Sequence, residues 1–189
     1  STVPEVLARI GLRPEDIDYI TYDHLHTQDV RRWLGTDETP ALFPNATVYA
    51  AKAETDYWLD PQHLAQAPAA AKEYFEIPKR SLAPYVASQR LKNFTAPASP
   101  LAEVQVQASA GHTPGSTAYR FESNGQSIVF IGDMIHNVAV QFAHPEVAIR
   151  FDTDPKQAVK TREAAFAALA KSGSWVAAAH LPFPGIGHV

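Results

Sequence analysis

Four short stretches of this sequence carry the side chains that could do chemistry. They are "DHLHTQD" (23–29), "GHTPGS" (111–116), "GDMIH" (132–136) and "AAAHLPFPG" (177–185). Each places a His or an Asp just past an apolar run, where a sheet scaffold usually presents reactive groups. Imidazole and carboxylate together suit zinc or a similar first-row divalent ion. A carboxylate such as Asp133 could bridge two ions about 3.5–4 Å apart, and a coordinated water then becomes a nucleophile near neutral pH. A single His-x-His pair such as His24 and His26 says little alone, and "GD" after a strand is ordinarily a turn. Their joint occurrence in this order carries the inference.

The rest of the composition narrows the chemistry. The chain has 189 residues and no cysteine, so disulfides, thiolate metal sites and a Cys nucleophile are excluded. Hydrophobic residues make up 46% and charged residues 19%, a globular rather than disordered balance. The net charge of −4 and the lack of a basic stripe argue against nucleic acid and anionic membranes as partners. No apolar run approaches a membrane span, and no signal peptide is visible in a chain that opens on "STVPEV". The compartment stays open between cytoplasm and periplasm.

The elements that must position these groups alternate in type. "TVPEVLARIGL" reads as a helix capped by Thr2 and stopped at Gly11. "DIDYITYD" (16–23) reads as a strand feeding directly into the His pair, and "DVRRWLG" (29–35) as a short helix whose Arg31 and Arg32 make a solvated face. "ATVYA" (46–50) reads as a buried strand. The sequence from Ala51 to about Arg90 is helical in pattern, and Pro61, Pro68, Pro78 and Pro84 are expected to break it into several short helices. "AEVQVQA" (102–108) alternates as a half-buried strand. "TAYRFES" and "QSIVFIGD" form a hairpin through Asn124-Gly125. "VAIRFD" (147–152) and "SWVAAAH" (174–180) read as strands. Between them lies a helix with Asp154 as cap, Pro155 at its first position, Val159, Phe166 and Leu169 as its apolar stripe, and Gly173 as its stop. "LPFPGIGHV" reads as a terminal loop. One domain, 1–189, is expected.

With those residues in place, the four segments resemble the metallo-β-lactamase superfamily. Its pattern is H-x-H-x-D-H, a "GHTPGH"-like loop, a "GD" with a bridging Asp, and a late His after a strand. "FPNATVYAAKAETDYWLD", "GDMIHNVAVQFAHPEVAIRFDTDP" and "HLPFPGIGH" are similar to the methyl parathion hydrolase branch. The resemblance implies an α/β (α+β) fold, the αβ/βα sandwich, here apparently without its N-terminal strands. It follows as an expectation that one apolar sheet face is poorly covered and that the chain associates with a partner or a second copy as a homodimer.

The resemblance also implies the site. His24, His26 and His112 correspond to a first metal site, Asp133 to the bridging carboxylate and His180 to a second-site ligand. Where the family has Asp then His, this chain has Gln28 and Asp29. An amide cannot accept a proton, so Gln28 cannot replace a catalytic carboxylate, whereas Asp29 can bind an ion. Asp133, Gln28 and Asp29 are thus the residues on which catalysis turns. An intact first site and an altered, weakly held second site are expected, with one or two ions of zinc or another divalent transition metal. Trp58, Tyr74 and Phe75 correspond to aromatics lining an apolar substrate pocket, against a plain reading as core. His136 could orient a ligand or be simply a hydrogen-bonded buried histidine, and His188, after two glycines at the chain end, suits orienting a ligand or structuring its loop rather than binding metal. Thr113 and Ser116 suit local hydrogen bonds within their loop.

The implied activity is hydrolysis of a small apolar lactone, aryl ester or organophosphate triester by a metal-bound hydroxide. The rival readings are a non-catalytic or weakly active metal-binding relative and an iron-dependent dioxygenase of the same fold.

Overall fold

The computed structural model describes residues 3–26 and 41–189. The chain divides into two compact units, residues 1–93 and 94–189. Gln28, Asp29, Arg31 and Arg32, the helix expected over 29–35 and the Thr2 cap lie outside the described residues.

In the first unit, helix α1 (Val3–Arg9) gives way to a turn at Ile10 and Gly11, and the φ of +78° at Gly11 is the left-handed conformation that suits glycine. Strand β1 (Tyr19–Thr21) pairs in parallel with β2 (Thr47–Ala51), and β3 (Leu91–Phe94) completes a three-stranded sheet in the order β1-β2-β3. Strand β1 is shorter than its apolar pattern suggests: Pro14–Asp16 form a 3-10 turn ahead of it, and it pairs with β2 only over Tyr19–Thr21. Strand β3 follows the long helix where no strand is evident from the sequence.

Helices α2 (Lys52–Trp58) and α3 (Pro61–Gln66) are short, with Pro61 starting α3 under an Asp60 cap. Helix α4 (Lys72–Ala87) departs from expectation. It runs 16 residues with both Pro78 and Pro84 inside it. Each proline forfeits one helix hydrogen bond, but the helix buries Phe75, Ile77, Leu82 and Tyr85 along one side. That burial, worth roughly 1.5–3 kcal/mol per large apolar side chain, outweighs the lost bonds. The unit's core gathers Tyr22, Leu25, Phe43, Val48, Trp58, Phe75, Leu82 and Tyr85.

The second unit holds a five-stranded sheet in the order β4-β5-β6-β7-β8. Strands β4 (Val104–Ala108), β5 (Thr117–Ser123) and β6 (Gln126–Phe130) are an antiparallel meander, with Asn124 and Gly125 at positive φ in the β5–β6 turn. After β6 the chain passes through the Asp133 turn and a short helix α5 (Val138–Gln141) to helix α6 (Pro155–Ser172). It returns as β7 (Trp175–Ala177), parallel to β6. Asp154 caps α6 by accepting from Gln157 N, and Gly173 closes it at φ +65°.

Two segments of this unit differ from their sequence patterns. "VAIRFD" is a turn, not a strand: Asp152 N donates to Ile149 O, while the Asp152 side chain accepts from Ile149 N. A carboxylate that folds back on its own backbone competes with sheet pairing. "SWVAAAH" is strand only over β7, and β8 (Ile186–Gly187) lies within the expected terminal loop. The core between sheet and α6 holds Ala118, Val129, Ile131, Met134, Ile135, Phe166, Leu169 and Val176. Among the described residues no helix is long and apolar enough to cross a membrane.

Candidate metal centre

In the first unit the His pair sits just past β1. His24 is buried, and Asp23 determines how it stands: Asp23 Oδ1 accepts from His24 N at 2.8 Å and lies 3.1 Å from His24 Nδ1. A carboxylate on Nδ1 favours the tautomer that leaves Nε2 as the metal-binding nitrogen. Asp23 therefore steers His24. Between the two histidines, Leu25 N donates to the fully buried Glu54 Oε2 at 2.9 Å, anchoring the loop to α2.

The His26 ring lies 4.9 Å from Tyr74 and 5.8 Å from Trp58, centroid to centroid. The three expected pocket aromatics differ in position. Trp58 and Phe75 are buried in the unit core with rings 4.9 Å apart, whereas Tyr74 is half-buried beside His26.

The second unit gathers the other groups around Asp133. This residue is buried in the tight turn that follows β6, after Gly132 at φ +53°. Three imidazole Nε2 atoms converge on its carboxylate. His136 lies 3.1 Å from Oδ2, His180 lies 3.3 Å from both Oδ1 and Oδ2, and His112 lies 3.5 Å from Oδ2. The His136 ring is stacked on His180 at 4.6 Å and stands 4.8 Å from His112. His112 and His136 are shielded, and His180 is the open member at 43% side-chain exposure.

The donor chemistry fits a divalent ion. Around a tetrahedral zinc with bonds of about 2.0–2.1 Å, neighbouring ligand atoms stand about 3.3–3.4 Å apart, close to the separations found here. His112, Asp133 and His136 offer three ligand atoms within 4.8 Å of one another. Nitrogen and carboxylate donors without sulfur suit zinc, manganese, iron or cobalt rather than calcium.

The loop that carries His112 is fixed by close packing. At Gly111 φ is +139°, and a Cβ there would stand 2.3 Å from Ala158 N and 2.4 Å from Ala158 Cα. Only glycine lets this loop lie against the first turn of α6. There Asp154 N donates to Gly111 O, Thr153 N to His112 O, and Thr161 Oγ1 to Ala110 O. Thr113 and Ser116 cross-brace the loop with their hydroxyls 2.6 Å apart.

Two groups that the sequence reading did not single out support the centre. Asp152 has a fully buried side chain with Oδ1 3.0 Å from His112 Nδ1, the carboxylate–histidine arrangement that aims Nε2 at a metal. Burial pushes the Asp152 carboxyl up, but the hydrogen bonds from His112 and Ile149 N, with the electrostatic pull of the neighbouring His112 ring and Arg162 guanidinium, outweigh it and hold it below the ordinary value. Gln141, also buried, accepts from His136 N and Asn137 N and donates to Val147 O, so α5 holds the His136 loop. The signal for Asp152 was its place two residues before a helix cap, just downstream of the "GDMIH" segment.

His188 is elsewhere. Its ring packs 4.1 Å from Trp175, and its Nδ1 lies 3.1 Å from Ser174 O, so it braces the β7–β8 edge and is not part of the Asp133 cluster.

With this geometry, the fold is the metallo-β-lactamase-like one expected from the sequence. A hydrolase of the beta lactamase superfamily, AbOPH, superposes with a TM-score of 0.90 at 44% identity over 98% of this chain and 64% of its own. The dizinc quorum-quenching lactonase AidC, solved in complex with a product, N-hexnoyl-L-homoserine, superposes with a TM-score of 0.84 at 24% identity, over 98% of this chain and 65% of its own. A probable metal-dependent hydrolase from Staphylococcus aureus gives 0.77 at 24%, over 95% and 60%. The chain thus spans somewhat less than two thirds of the length of these proteins. No protein-family model and no curated protein matches it.

Proposed function

We propose that the chain carries the metal centre of a hydrolase that opens a small apolar lactone, aryl ester or organophosphate triester, in the manner of the methyl parathion hydrolase branch. The observation that carries this reading is the convergence of His112, His136 and His180 on the buried Asp133. When bound there, a zinc or similar divalent ion supplies Lewis acidity and lowers the pKa of a coordinated water. The chain's own residues would hold and orient the ion. His112 offers Nε2 because Asp152 engages its Nδ1, Asp133 offers a carboxylate with two usable oxygens, and His180 faces solvent, where a substrate can enter.

His24 and His26 are further ligand candidates from the sequence, and Asp23 and Glu54 hold their loop. Tyr74 beside His26 is the aromatic best placed to meet an apolar substrate. Gln28 and Asp29 are expected to weaken the second ion's site and to lower turnover. The lactonase nature of AidC, on the same fold, supports lactones among the substrates.

The test is metal-dependent hydrolysis of an aryl acetate, an aryl-substituted lactone and a dimethyl aryl phosphorothioate, by wild type and by His112→Ala. Turnover that needs the metal and disappears in the variant supports the reading. A folded, metal-loaded chain that hydrolyses none of the three overturns it in favour of a non-catalytic relative.

A further inference from the structure

We propose that Arg162 is a positioning residue of the metal centre, a single guanidinium that ties the Asp133 turn to the carboxylate that orients His112. Arg162 lies on the buried stripe of α6, four residues after Ala158 and four before Phe166, and is 1% exposed. A charged group in that stripe is costly unless its donors are satisfied. Here they go to the backbone of the site. Nε donates to Met134 O at 2.7 Å, directly after Asp133 in the chain. Nη1 donates to Pro145 O at 2.8 Å and to Val147 O at 3.0 Å. Nη2 lies 4.0 Å from Asp152 Oδ2, and the other oxygen of that carboxylate is 3.0 Å from His112 Nδ1.

The contacts form one continuous path: Asp133, Met134 O, the guanidinium, Asp152, His112, and back to Asp133 across 3.5 Å. A second strut joins it at Val147 O, which also accepts from Gln141 Nε2, and the same Gln141 holds His136 N. Simple packing of helix on sheet would be served by a Leu or Met at this position. A planar fork with five donors is needed only if several fixed acceptors must be held in register. Lysine offers a point charge and cannot satisfy this set.

The inference rests on the reading of His112 and Asp133 as ligands, and the experiment separates the two. Arg162→Lys, Arg162→Met, Asp152→Asn and the double variant Arg162→Lys/Asp152→Asn are made in the full chain. Circular dichroism reports folding. Zinc affinity is measured by competition with a chromophoric chelator, and the site geometry by the visible bands of the cobalt(II)-loaded protein. Removing such supporting partners typically costs about 10–100-fold in metal affinity.

The expectation is that Arg162→Lys folds, loses affinity in that range and shifts the cobalt bands. Because both residues act through one path, the double variant should lose no more than the weaker-binding single variant. A folded Arg162→Lys with wild-type affinity and unchanged cobalt bands overturns the proposal, as does full additivity in the double variant. If neither Arg162 variant folds, the residue serves the fold and the positioning role is refuted. A wild type that takes up no zinc or cobalt overturns the metal reading and this proposal together. Wild-type uptake with unaffected variants overturns only the latter.

Discussion

Gly111→Ala should be among the most damaging one-carbon changes to the second unit. The added Cβ would lie 2.3 Å from Ala158 N, 2.4 Å from Ala158 Cα and 2.8 Å from Gln157 C. All three are backbone atoms of the first turn of α6, so no side chain can swing aside. To reach ordinary van der Waals contact the loop must retreat by about 1 Å or more. That retreat breaks or stretches the hydrogen bonds from Asp154 N to Gly111 O and from Thr153 N to His112 O, each 3.0 Å. Two such bonds contribute about 1 kcal/mol each, and a φ of +139° adds strain of about 1–3 kcal/mol for a residue with a Cβ.

The total, about 3–5 kcal/mol, is a large part of a typical domain's 5–15 kcal/mol. Urea unfolding of the metal-free proteins measures it. The midpoint should fall sharply with little change in slope. Because His112 is next in the chain, any protein that remains folded should also bind zinc more weakly. A Gly111→Ala protein with a wild-type midpoint would refute the claim that this loop is pressed onto α6.

Three further outcomes follow from other contacts. Asp154→Ala removes the cap on Gln157 N and should cost about 1 kcal/mol in the same unfolding assay. Phe166→Ala empties a buried site in the core beneath α6 and should cost about 3–5 kcal/mol. In the first unit, Glu54→Ala deprives Leu25 N of its buried acceptor; a loss of about 1–3 kcal/mol is expected, together with faster amide exchange at Leu25 by NMR.

The site was legible where chemistry needs a rare residue type at a strand end. Asp133, His112 and His180 announce themselves because each stands just past a strand-like run, and the structure brings them together. Asp152 and Arg162 were hidden by the ambiguity of charge. An Asp shortly before a helix reads as a turn residue, and an Arg in a helix reads as solvated, until the fold turns both inward. The β-branched pattern of "VAIRFD" pointed to a strand, and the backbone contact made by the Asp152 carboxylate decided otherwise. Pro78 and Pro84 show the same limit: local propensity predicts a break, and burial of the helix face carries α4 through it. Gly111 looks like any loop glycine until its distance to Ala158 is known.

The proposed chemistry stands on the carboxylate of Asp133 and the imidazoles around it holding a metal ion. The most direct measurement is elemental analysis of wild type and of Asp133→Ala after zinc loading and exhaustive dialysis, each checked for folding by circular dichroism. Wild type should retain at least one equivalent per chain and the variant well below one. Equal zinc in both folded proteins, or none in wild type, would show that Asp133 does not hold a metal ion.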